Sequence, residues 1–136
     1  MSEEQITVYE AVGGEAYFTE LVERFYAAVA EDELLRPMYP RDLRGAEERL
    51  RLFLMQYWGG PTTYSDQRGH PRLRMRHNPY RVDMAARDAW LRAMVEAVEA
   101  DPPEEPMRSA ILEYFLRSAD FMRNTPEPDA PGSGLL

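Results

Sequence analysis

The chain has 136 residues, a net charge of −8 and no cysteine. That length points to one domain with a sizeable core, the missing thiols exclude disulfides, thiolate metal sites and thioether-linked cofactors, and the acidic balance argues against non-specific nucleic-acid binding. No apolar run approaches the roughly 18 residues of a membrane-spanning helix, and Met1-Ser-Glu-Glu-Gln lacks the basic and apolar parts of a signal peptide, so a cytoplasmic protein without membrane insertion is expected.

Gly13-Gly14 precedes Phe18, Val22, Phe25, Tyr26 and Val29, the spacing of an amphipathic helix. A turn at Leu34-Leu35-Arg36 leads into Pro37-Met38-Tyr39-Pro40, where two prolines stop regular helix. Asp42 reads as the N-cap of a second helix. Its buried stripe is expected at Leu43, Ala46, Leu50, Phe53, Leu54 and Tyr57, and Gly59-Gly60-Pro61 ends it. Residues 61–76 have almost no apolar periodicity and are expected to form a long irregular connection. Asp83 caps a third helix with Leu91, Met94, Val95 and Val98 on one face, and Pro102-Pro103 breaks the chain. A fourth helix carries Ile111, Tyr114, Phe115, Ser118 and Met122. The Pro/Gly-rich end is expected to be disordered, which leaves a domain over residues 1–125 and a tail over 126–136. The expected class is all-α with four main helices, an arrangement able to sandwich a flat apolar ligand.

The chemistry concentrates between Arg68 and Arg81. This strip holds both histidines and five of the sixteen basic residues, and no acidic residue falls between Asp66 and Asp83. Every basic residue is arginine, which a biased genome explains more simply than function does, yet each is a forked donor suited to carboxylates. Pro79 pushes Asn78 out of helical geometry, so His77 would end a short helical turn with one ring nitrogen free to act as a ligand. The plain alternative is a solvent-exposed histidine, and His70 receives that reading. Zinc fits poorly, because it needs at least three protein ligands. Haem brings four nitrogens and needs one axial imidazole, and its propionates would use nearby arginines. A solvated cationic face is the alternative for the arginines. Tyr26, Tyr39 and Trp90 read individually as core aromatics whose donors must find partners, and three such donors in one apolar cavity would stabilise a bound polar diatomic.

Together these residues resemble a known family. Tyr9-Glu-Ala-Val-Gly-Gly14, Arg24-Phe-Tyr26, Leu35-Arg-Pro-Met-Tyr-Pro40, Phe53-Leu-Met-Gln-Tyr-Trp-Gly-Gly-Pro61, Gly69-His-Pro-Arg-Leu-Arg-Met-Arg-His77 and Arg87-Asp-Ala-Trp-Leu91, in this order, resemble the group II truncated haemoglobins over residues 6–124. The resemblance implies a truncated globin, a two-over-two helical sandwich around non-covalent haem b. It implies His77 as the iron ligand and Tyr26, Tyr39 and Trp90 around the bound ligand. Ala46 falls where many globins carry a distal histidine, with Leu50 one turn on. Phe53, Leu54 and Met94 are implied as apolar haem contacts, and Arg49, Tyr64 and Arg76 as propionate partners.

Iron held by neutral His77 would keep a sixth position for O₂, CO or NO. Donors at that position should slow release, which suits ligand sensing or O₂/NO redox chemistry better than oxygen transport in bulk. The alternative is a haem enzyme acting as an NO dioxygenase or weak peroxidase, with a reductase as partner. A third class is a non-haem helical module that docks an anionic partner on the arginine strip. A monomer or homodimer is expected.

Overall fold

The computed structural model describes residues 6–68 and 83–122. Among them every regular element is helical: α1 (Val8–Val12), α2 (Gly14–Glu31), a 3₁₀ turn (Arg36–Met38), α3 (Arg44–Tyr57), α4 (Thr63–Arg68), α5 (Met84–Glu99) and α6 (Met107–Met122). The expected domain start at residues 1–5, the residues 69–82 that include His77, and the expected tail over 126–136 lie outside the described residues.

Helix α1 is a single capped turn. Thr7 Oγ1 accepts from the Glu10 amide at 3.1 Å, and Gly13 closes it in the left-handed region (φ 117°) while opening α2. The Tyr9 amide donates to the Trp58 carbonyl at 2.9 Å and ties α1 to the end of α3. In α2 the expected stripe is buried, joined by Tyr17 and Leu21. Phe18, Leu21, Phe25 and Val29 are fully enclosed, each worth roughly 1.5–3 kcal/mol of burial.

Helices α3 to α5 depart from expectation in places, each for a local reason. The N-cap position of α3 is Leu43, while Asp42 stands one residue earlier and accepts from the Arg44 amide at 3.0 Å. Of the expected stripe Ala46 and Leu54 are buried, Leu43, Leu50 and Phe53 only half-buried, and Tyr57 exposed; the inner face also carries Leu52 and Met55, and Tyr57 lies against Tyr114 with ring centroids 4.2 Å apart. Residues 61–76 are not irregular throughout, because α4 occupies Thr63–Arg68. Gln56 holds it, donating Nε2 to Ser65 Oγ at 2.7 Å and accepting the Ser65 amide on Oε1 at 3.0 Å. In α5, Met94 and Val98 are buried as expected, but Leu91 and Val95 are only half-buried; Ala86, Ala89, Ala93 and Ala97 share the inner face.

The Asp83 cap is present, its Oδ1 accepting the Ala86 amide at 3.0 Å. Ile111, Tyr114, Phe115 and Ser118 are buried on α6.

Helix α2 packs on α3 and α5, and α5 packs on α6. The molecule is therefore a two-over-two helical sandwich, α2/α3 on α5/α6, joined through α2 and α5. Small residues along α5 permit the close approach. Arg24 on α2 donates Nε to the Ala97 carbonyl at 2.8 Å, placing a cation at the negative end of α5. No described helix is long and apolar enough to cross a membrane.

Candidate functional site

Three side chains from three elements converge near the centre of this sandwich. Tyr26 comes from the inner face of α2, Tyr39 from the segment after the 3₁₀ turn, and Trp90 from the second turn of α5. The Tyr26 and Tyr39 rings meet edge to face, with centroids 5.5 Å apart and planes at 88°. The Trp90 indole N–H, which can only donate, lies on the side of the Tyr39 hydroxyl and favours its ionised form.

Burial sets the protonation of both phenols. It is the main cause that pushes Tyr26 far above the ordinary tyrosine range; Tyr39 and Glu47 raise it further, while Arg49 pulls it down. Burial pushes Tyr39 up to about 12, against the lowering effect of the Trp90 indole. Tyr39 is half-buried as a whole residue, but its ring meets Tyr26 and its hydroxyl meets Trp90, so the ionising end is the enclosed one. Both phenols are neutral donors throughout the physiological range.

Helix α3 forms the facing wall. Ala46 and Leu54 are buried in the core, while Leu50 and Phe53 are half-buried at its margin. Arg49, also half-buried, is close enough to Tyr26 to affect its ionisation. Tyr64, buried on α4, meets the Phe53 ring edge to face at 5.5 Å and forms a second aromatic group with it. Met94 is fully enclosed one turn beyond Trp90. Arg76 and His77 lie outside the described residues, as does His70.

Two residues that help define the site are legible in the sequence only as helix-face positions. Phe25 and Phe115 pack edge-on against Trp90, with centroids at 5.7 and 6.0 Å. Phe25 also meets Tyr26 at 4.9 Å. Their helical spacing announced burial, but nothing local says which aromatic a core phenylalanine will hold.

The bacterial-like globin family model matches residues 7–124. The chain belongs to that family, in its group II truncated branch. This globin is 37% identical over 121 residues to the group 2 truncated hemoglobin of Bacillus subtilis (strain 168), covering 89% of this chain and 91% of the relative. Among solved structures it is 57% identical to a thermostable hemoglobin from the actinobacterium Thermobifida fusca, with a TM-score of 0.87 over 90% of this chain and all of that one. A truncated oxygen-avid haemoglobin from Bacillus subtilis is 37% identical, with a TM-score of 0.83 over 88% of this chain and all of that one.

Haem is the cofactor of this family, and the described residues fit it. The globin offers a wall of half-buried apolar side chains on α3 beside neutral hydroxyl and indole donors, the chemistry required next to a flat apolar group that carries a polar ligand.

Proposed function

We propose that this globin would hold haem b non-covalently with His77 as the iron ligand and would bind O₂, CO or NO at the iron, releasing O₂ slowly. Bound haem would supply an iron centre able to take a diatomic. The convergence of three neutral donors, Tyr26, Tyr39 and Trp90, carries this reading. Leu50 and Phe53 would cover the haem face, with Ala46, Leu54 and Met94 filling in behind them. Arg49, Tyr64 and Arg76 would meet the propionates.

The residues around the ligand act by donation. A bound O₂ carries partial negative charge, and a neutral phenol or indole stabilises it without the cost of burying a charge. An indole N–H donating to the Tyr39 oxygen would strengthen that hydroxyl as a donor to the ligand. The oxygen-avid relative, similar over nearly all of its length, supports slow release.

The same geometry bears on the enzymatic alternative. Peroxidase chemistry wants an acid–base group that exchanges protons near neutral pH. Tyr26 and Tyr39 are pushed away from that range, so peroxidase turnover should be weak. Oxidation of NO needs no such base and is the enzymatic reading that these donors permit; it would require a reductase to restore the iron.

The test is O₂ release from the haem-loaded globin by stopped flow. One desolvated hydrogen bond is worth roughly 1–3 kcal/mol, so Trp90→Phe should speed release about 5- to 150-fold. An unchanged off-rate would remove Trp90 from the ligand's environment.

A further inference from the structure

Tyr39 lies outside the long helices, yet its hydroxyl must be placed closely to donate to a small ligand. The segment before it is internally braced. Asp32 Oδ1 accepts from the Leu34 and Leu35 amides, both at 2.9 Å, and the Arg36 amide donates to the Asp32 carbonyl at 2.9 Å. Leu35 is fully buried and anchors the turn to the core.

The segment after the turn is held differently. Pro37 and Pro40 have no amide proton, and residues 39–41 lie beyond the 3₁₀ helix. The guanidinium of Arg36 meets their carbonyls. Nη1 donates to the Pro40 carbonyl at 2.9 Å and, more weakly, to the Tyr39 carbonyl at 3.4 Å; Nη2 donates to the Arg41 carbonyl at 2.7 Å. Three successive carbonyls on one side chain require the planar fork of arginine, and a lysine ammonium cannot span them in the same way.

We propose that Arg36 is a positioning residue for the ligand site: its guanidinium latches the carbonyls of residues 39–41 and thereby sets the Tyr39 hydroxyl against Tyr26 and Trp90. This rests on the reading of Tyr39 as a donor to the bound ligand. It assigns a role to an arginine that sequence alone places in a turn.

Two measurements on the haem-loaded globin test it. The first is O₂ release from the wild type, Arg36→Gln, Arg36→Lys, Tyr39→Phe and the double variant Arg36→Gln/Tyr39→Phe. Arg36→Gln and Arg36→Lys should each speed release about 3- to 10-fold, the worth of one loosened hydrogen bond. In the Tyr39→Phe background Arg36→Gln should add nothing, because its effect passes through the Tyr39 hydroxyl. The second is the indole N–H spectrum of the CO-bound form. The chain has two tryptophans, so two signals are expected. Arg36→Gln should move the Trp90 signal toward its position in Tyr39→Phe and leave the Trp58 signal in place.

An Arg36→Lys variant that matches the wild type overturns the proposal, since charge alone would then suffice. So does an equal effect of Arg36→Gln in both backgrounds, or an unmoved Trp90 signal. If Tyr39→Phe itself releases O₂ at the wild-type rate, the reading of Tyr39 fails; the Trp90 signal in Arg36→Gln then decides alone whether Arg36 sets the tyrosine.

Discussion

Gly60 and Trp90 illustrate two ways in which one residue matters here. At Gly60 the constraint is steric: a Cβ would lie 2.7 Å from the Tyr9 ring and 2.8 Å from the Met55 carbonyl oxygen, the same oxygen that accepts the Gly60 amide at 2.7 Å. Backbone cannot retreat as a flexible side chain can, so Gly60→Ala should cost about 1–3 kcal/mol in chemical denaturation; an unchanged midpoint would show that the junction of α1 and α3 yields easily. The need for glycine there was half visible in the sequence, where Gly59-Gly60-Pro61 marks the end of α3, but the approach of Tyr9 from fifty residues away was not. At Trp90 the constraint is chemical. An indole on an amphipathic helix reads as core, and its position between Phe25 and Phe115 agrees. Its influence on Tyr39 depends on how α2, α5 and the 36–41 segment meet, so single-sequence periodicity could not expose it. The family resemblance groups Tyr26, Tyr39 and Trp90; in the fold Tyr26 meets Tyr39, and Phe25 bridges Tyr26 to Trp90.

Elements were legible in proportion to how much of their stability is local. The four long helices follow from apolar spacing and capping residues, and Asp83 is the clearest case, a carboxylate accepting the Ala86 amide as an N-cap should. Asp83→Ala should lower stability by about 1 kcal/mol, and thermal or urea unfolding that matched the wild type would show that α5 starts without its cap. Helices α1 and α4 were missed because a helix of five or six residues cannot stand alone. The first depends on Trp58 accepting the Tyr9 amide, the second on Gln56 gripping Ser65, and both partners are on another element. Tyr57 fits the α3 spacing but lies exposed at the C-terminal end of that helix, tilted against Tyr114. The inner face of α5 is only partly legible for a different reason: hydropathy picks out Met94 and Val98, which are buried, and Leu91 and Val95, which are half-buried, but not the alanines that close helix packing favours.

The whole molecule combines a tightly enclosed aromatic core with a chain in which every basic residue is arginine. Burial is the main cause that raises Tyr17, Tyr39 and Tyr114 from the ordinary 10.0 to about 12, and Tyr26 higher still. Above pH 10 the unfolded chain releases these protons while the folded one keeps them, so the stabilisation is whole below pH 10 and is lost progressively as pH rises toward 12. With no lysine to titrate in the same window, urea unfolding between pH 9 and 12 should report these tyrosines cleanly; a flat profile would mean that their hydroxyls are not enclosed. The all-α class and the two-over-two arrangement were readable from periodicity together with the family resemblance, while the haem-side strip around His77 rests on the sequence alone. The most direct test of the account is therefore the absorption spectrum of the haem-loaded globin in its ferric, ferrous and CO-bound forms, beside that of His77→Ala. The account predicts a strong Soret band, a five-coordinate ferrous spectrum that shifts sharply with CO, and loss of normal haem uptake or of that ferrous spectrum in His77→Ala. Failure of the wild type to take up haem, or a His77→Ala variant with normal uptake and an unchanged ferrous spectrum, would contradict it.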